Sequence, residues 1–355
     1  MNRETSIYLD LVRFSAALAV FLSHLAKRDI LHSFFWHFIG FGEPAVIVFF
    51  VLSGWVIAYT VDSRETSSRS YFIARAARIY SVAVPAIILT TVLDAIGSSY
   101  NPGLYSHFAS VMQHPLMEKP LCLVFLNEAW NLNVAPGTDG PYWSLGYECM
   151  YYVLFGLFMF MSGRSRLFFL ALVCLVVGPR VLSLVPIWLL GFGCYRLTRR
   201  SRIPFRLGAM MFAGSSAVIL ALATALAWGR LGYLSSLYDQ RPLDVLIDYL
   251  LALLFAAHLL GAAAISDTFR WPDLVARSIR WLAGSTFSLY LYHLPILLFL
   301  SASLPFARDT WAFRLSLIGG ALLAVFLLAE VTERRKAIWR SGFDRLAGLL
   351  SRRFS

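Results

Sequence analysis

Tyr8-Leu-Asp-Leu-Val-Arg-Phe-Ser-Ala-Ala-Leu-Ala-Val-Phe-Leu-Ser-His24 is an apolar run broken only by Asp10, Arg13 and His24. With its flanks, 6–27, it is long enough to cross a bilayer as one helix at about 1.5 Å per residue. Arg13 and His24 are eleven positions apart, three turns plus roughly 20°, so both side chains face one way about 16 Å apart along the axis. A charge near a bilayer centre costs roughly 2.5 to 3.5 kcal/mol on insertion scales, so this stripe must face protein, ligand or a wet cavity. Asp10, three residues before Arg13, is the natural partner for its charge.

The remaining sequence repeats this composition. Of 355 residues, 59% are hydrophobic and only 14% charged, and the mean hydropathy is +0.67, which excludes a soluble globule. Hydrophobic runs from Ile7 to Glu330 leave no room for a separate soluble domain, so the reading is one transmembrane domain, 1–335, with a basic tail, 336–355. Lys27-Arg28-Asp29 follows the first run and no small-residue cleavage site is present, so this run is expected to stay as a helix. The net charge of +11 follows from basic cytoplasmic loops and calls for no nucleic acid. Cys149, Cys174 and Cys194 fall in hydrophobic runs and Cys122 in a loop, with neither metal-ligand spacing nor a disulfide framework.

The pattern predicts an all-α polytopic bundle of about ten spans: 6–27, 38–60, 71–96, 142–162, 166–179, 181–197, 208–228, 243–265, 283–304 and 311–332. The fifth is short and ends at Gly178-Pro179, as a tilted, broken or re-entrant helix would. Basic residues crowd alternate loops, with Arg64 and Arg69 after the second span, Arg164 and Arg166 after the fourth, and Arg196, Arg199 and Arg200 among others after the sixth. Arg334 to Arg353 enrich the tail. Both termini are therefore expected in the cytoplasm. The longest connection, Gly97 to Pro141, falls outside, where Tyr105, Trp130, Asn131 and Asn133 would suit either a sugar face or interfacial packing.

This topology assigns depths. Arg75 and Arg78 lie in the first turns of the third span, near the cytoplasmic level of Arg13, and guanidinium forks suit phosphate oxygens. Glu148, four residues after Ser144 in the fourth span, falls at a depth comparable to His24, where a carboxylate could set the imidazole tautomer and raise its basicity. Ser53-Gly54 allows close helix packing. His293 lies near mid-membrane, two residues before Pro295, whereas His258 reads as structural.

In register, Asp10-x-x-Arg13 with His24, Phe49-Phe-x-Leu-Ser53-Gly54, Arg75-x-x-Arg78, Trp143-Ser144-Leu-x-x-Glu148 and Tyr290-Leu-Tyr-His293-x-Pro295 resemble the membrane-bound acyltransferase-3 family over Ile7 to about Glu333. That resemblance implies transfer of acetyl or another short acyl group from cytoplasmic acyl-coenzyme A to hydroxyls of extracytoplasmic carbohydrates, or sometimes to small molecules. It implies His24 as the catalytic histidine and Arg13, Arg75 and Arg78 as arginines that handle coenzyme A. Where many members end the last helix with Glu-x-Pro, this chain reads Val331-Thr-Glu333-Arg-Arg. Some members carry a hydrolase-like domain after the bundle; with about twenty residues following the last helix here, any relay of the acyl group is expected to use another protein or none.

The expected activity is O-acetylation of a bacterial surface glycan or its lipid-linked precursor at the inner membrane, with acetyl-coenzyme A as donor and no metal. His24 and Glu148 are the catalytic candidates, Arg13, Arg75 and Arg78 hold the donor, and Asp10, Ser53, Trp143, Ser144, Tyr290 and His293 support them. The rival class is a proton-coupled secondary transporter, because buried Arg, His and Glu also build proton relays. The halves show no clear repeat and no paired broken helices, which disfavours it.

Overall fold

A computed structural model describes residues 1–27, 30–31, 35–109, 116–228 and 242–353. In chain order the helices are α1 (Arg3–Leu25), α2 (Gly42–Ser63), α3 (Ser68–Tyr100), α4 (Pro102–Ala109), α5 (Glu118–Leu123), α6 (Trp143–Phe160), α7 (Gly163–Leu182), α8 (Val185–Arg200), α9 (Phe205–Ala227), α10 (Pro242–Ile265), α11 (Asp273–Ala283), α12 (Thr286–Ser303), α13 (Trp311–Val331) and α14 (Lys336–Arg353). Each of the ten expected spans coincides with one of these helices, within a few residues at the ends. Among the described residues eight stretches are long and apolar enough to cross a membrane: α1, α2, α3, α7, α9, α10, α12, and one that starts with α13 and runs into α14. α6 and α8, expected as spans too, fall outside this set. α8 has 16 residues, about 24 Å at 1.5 Å each and short of a roughly 30 Å hydrocarbon core. The opening turns of α6 carry Trp143, Ser144, Gly146 and Glu148 instead of aliphatic residues.

The chain divides into two compact units, Met1–Ser63 with Leu182–Thr286, and Arg64–Val181 with Phe287–Ser355. In the first unit α2 packs against α1, α8 and α10, and α9 lies along α10. The α2–α8 contact is close because a Cβ on Gly54 would sit 2.0 Å from the Trp188 carbonyl oxygen and one on Gly191 1.9 Å from that of Val51. The expectation that Ser53-Gly54 marks close packing is met, and Ser53 Oγ also accepts a hydrogen bond from Trp188 Nε1 at 3.1 Å. α11 docks on α1 through Ala276 and Ile279 against Ile7, while Leu274, Val275 and Trp281 stay exposed.

The second unit is organised on α3, whose start is fixed by a reciprocal capping box between Ser67 and Ser70. The basic segment after 335 forms α14, which lies along α3 with Arg69 donating to the Asp344 carbonyl at 3.0 Å and Phe343 against Tyr80. α7 is broken where expected, at Gly178, whose φ of 78° and ψ of 175° only glycine adopts readily. Pro179 has no N–H for the Leu175 carbonyl four residues back. Trp130 supplies the missing donors, its Nε1 to Leu175 O at 3.0 Å and its backbone N–H to Val177 O at 2.9 Å. In the described part of the long connection Asn127, Glu128, Thr138 and Asp139 are buried, while Trp130 stays half exposed.

Candidate functional site

His24 stands in the last turn of α1, half-buried. Its Nδ1 lies 3.0 Å from the Val20 carbonyl oxygen. A carbonyl only accepts, so the proton of the neutral ring sits on Nδ1 and Nε2 keeps its lone pair. The backbone carbonyl one turn earlier thus favours this tautomer. Arg13 pairs with Asp10 at 3.2 Å, as their spacing predicts, and the unbroken helix keeps Arg13 and His24 on one face.

In the second unit the predicted residues converge around α3 and α6. Arg75 is buried, 7% exposed, and forms an ion pair with Glu65. Its guanidinium lies 5.8 Å from the ring centroids of both Tyr71 and Tyr152. Tyr152 donates to the Glu148 carboxylate four residues earlier on α6. Glu65, Arg75, Tyr152 and Glu148 therefore form a chain of charged and aromatic groups, and Glu148 has its partner there. Arg78, one turn after Arg75, stacks over Phe287 at 4.9 Å and is less deeply buried. Of the two arginines, Arg78 is the more accessible.

Other predicted residues take structural positions. Ser144 Oγ and Tyr290 OH share a hydrogen bond of 2.7 Å, which joins α6 to α12. Trp143 meets Tyr147 edge to face at 5.3 Å. His293 is fully buried, with Nδ1 2.7 Å from the Leu289 carbonyl. His258 lies between Tyr8, bonded at Nε2, and Ser215 and Ser216, 3.1 and 3.3 Å from Nδ1. Phe212 stacks on it at 4.7 Å, in keeping with a structural histidine.

Sequence reasoning missed Glu65, a lone acid in a loop read only for its basic residues. It also missed what Glu333 does. That carboxylate accepts from Ser288 N at 2.9 Å, Ser288 Oγ at 3.0 Å and Phe287 N at 3.3 Å, and so caps the orphan N–H groups at the start of α12. A third unforeseen pair is Glu128 with Arg180 at 3.4 Å; burial pushes Glu128 up to about 8 although Arg180 pulls it down. Among the described residues no group of three or more His, Cys, Asp or Glu is placed to hold a metal ion.

The family model described as an acyltransferase domain, that of acyltransferase-3, matches residues 6–330. The chain belongs to the acyltransferase-3 family. Similar proteins include an O-acetyl transferase of Shigella phage Sf6, 26% identical over 195 residues, 51% of this chain and 56% of that protein. Acyltransferase MdmB of Streptomyces mycarofaciens is 29% identical over 152 residues, 41% of this chain and 37% of its own length. The chain thus spans about half or less of each of these relatives. No solved structure matches. As an acyltransferase-3 member, the chain is a multi-span membrane protein whose family transfers acyl groups, and the arginines, tyrosines and histidines above belong to that domain.

Proposed function

We propose that this acyltransferase-3 protein moves an acetyl or other short acyl group from cytoplasmic acyl-coenzyme A to a hydroxyl of an extracytoplasmic glycan or its lipid-linked precursor. The observation that carries this reading is the His24 tautomer, with Nδ1 turned to the Val20 carbonyl and Nε2 the accepting nitrogen of the neutral ring. The name of the phage relative, an O-acetyl transferase, supports acetyl as the group and oxygen as its destination. In this reading ten helices span a bacterial inner membrane, α6 and α8 included, both termini are cytoplasmic, and Arg78 and Arg13 meet the donor's phosphates. Within the second unit Arg75 keeps Tyr152 and, through it, Glu148 in place.

His24 Nε2 takes the proton of the acceptor hydroxyl as that oxygen attacks the thioester carbonyl. The tetrahedral intermediate then collapses, the C–S bond breaks, and the imidazolium returns its proton to the departing coenzyme A thiolate. An ester and free coenzyme A result, and His24 is restored.

The test is transfer from labelled acetyl-coenzyme A to candidate glycans by purified, folded His24→Ala. General base catalysis typically contributes about 10² to 10⁴ in rate, so label on sugar should nearly vanish while coenzyme A binding persists. Near-normal turnover would sink the mechanism.

A further inference from the structure

The end of α1 that carries His24 gathers groups that the acyl-transfer steps leave unused, all within the first unit. Ser23 Oγ donates to the Ile39 carbonyl at 3.0 Å, and a Cβ on Gly42 would come within 2.9 Å of that Oγ. The last turn of α1 thus abuts the first turn of α2, where Glu43 stands. Glu43 and Asp244 both lie within electrostatic reach of Asp248, in the opening turns of α10. Asp244 and Asp248 are only 8% and 9% exposed, and Asp244 Oδ2 has no hydrogen-bond partner in the described structure.

An aromatic shelf ends at the same level. A Cβ on Gly208 would come within 2.4 Å of Ala264 Cβ, and Ser215 meets His258, so α9 and α10 run antiparallel and the end of α9 lies by the start of α10. Trp228 caps that end. His37 meets Trp228 edge-on at 5.9 Å and stacks on Trp36 at 3.6 Å. Both indoles are exposed, Trp36 by 40% and Trp228 by 65%.

Asp244 and Asp248, with little access to water, repel one another, and the Asp244 Oδ2 without a partner calls for a hydrogen-bond donor. Their arrangement is not a metal-ligand set. A sugar brings several hydroxyl donors on its edges and an apolar C–H face that suits an indole. We infer that this end of the unit is a carbohydrate subsite, with Glu43, Asp244 and Asp248 accepting hydrogen bonds from acceptor hydroxyls and the Trp36–His37–Trp228 shelf covering a ring face. As the acceptor's place, it rests on the proposed acyl transfer; as a sugar-binding site, it stands separately.

The experiment uses the full chain in nanodiscs, with methyl glycosides of glucose, galactose, rhamnose and N-acetylglucosamine as probes, and reads binding by saturation-transfer NMR. At least one probe should bind wild type. Asp248→Asn and Trp228→Ala should each weaken it about tenfold or more, the size of one lost charge-assisted bond or ring contact, with acetyl-coenzyme A affinity unchanged. Trp228 is exposed, so its variant keeps the result readable if Asp248→Asn fails to fold. Equal saturation transfer in folded Trp228→Ala, or none from any probe in wild type, overturns the subsite. Glycoside binding without acetyl transfer would preserve the subsite and remove the acyl-transfer reading; transfer to a glycan with an acceptor KM unaltered by Trp228→Ala would do the reverse.

Discussion

Arg75 and Arg78 show how two residues of the same type, three positions apart, differ in burial and partners once their surroundings are known. Arg75 is buried against Glu65, so Arg75→Ala leaves a buried carboxylate without its cation, a loss of about 3 to 5 kcal/mol. Arg75→Ala should therefore lower Tm strongly, and adding Glu65→Gln should recover much of it. Arg78→Ala should keep its fold yet weaken coenzyme A binding by about ten- to a hundredfold, matching the roughly 1.5 to 3 kcal/mol of a charge-assisted bond. Thermal unfolding and isothermal titration of the three variants check this. Equal Tm loss in Arg75→Ala and Arg78→Ala would refute the division. The Arg-x-x-Arg spacing made both visible in the sequence, but not the division, because Glu65 reaches Arg75 through the turn before α3.

At the scale of elements, close approach of α2 and α8 is set by two glycines that face opposite backbones. A Cβ at Gly191 would fall 1.9 Å from the Val51 carbonyl oxygen, whereas one at Gly193, on the same helix, meets nothing within 4 Å. Gly191→Ala should force the helices apart and cost about 1 to 3 kcal/mol. Gly193→Ala should instead be neutral or gain about 0.5 to 1 kcal/mol from helix propensity. Equal unfolding midpoints for the two variants in detergent would contradict the packing. The break in α7 shows a similar dependence between elements: Gly178-Pro179 announced it in the sequence, but only the connection carrying Trp130 answers the carbonyls that it exposes.

For the whole molecule, the proposed orientation follows from alternating basic loops. Single cysteines at Thr66, exposed between Arg64 and Arg69, and at Leu116, 89% exposed in the long connection, should label differently with an impermeant reagent in intact cells. Leu116→Cys should react and Thr66→Cys only after lysis. Reaction at both sites in sealed cells would overturn the orientation. Asp139, in the same connection, is fully buried and would make a poor reporter. The background needs Cys122, Cys149, Cys174 and Cys194 replaced, although only Cys174 is not buried.

The sequence alone determined the membrane class, the positions of the main helices, the Asp10–Arg13 pair and the shared face of Arg13 and His24. These follow from apolar run length and the 3.6-residue period, which fix neighbours along one helix without reference to any other. Even the His24 tautomer is local, since Val20 lies one turn back. Tertiary structure decided that Arg75 is taken up by Glu65, that Glu333 caps α12, and that Glu43 comes within electrostatic reach of Asp248. Those partners are distant in the chain or meet around a turn, and side-chain charge records the need for a partner without naming it; only the packing of one helix on another brings the two within reach.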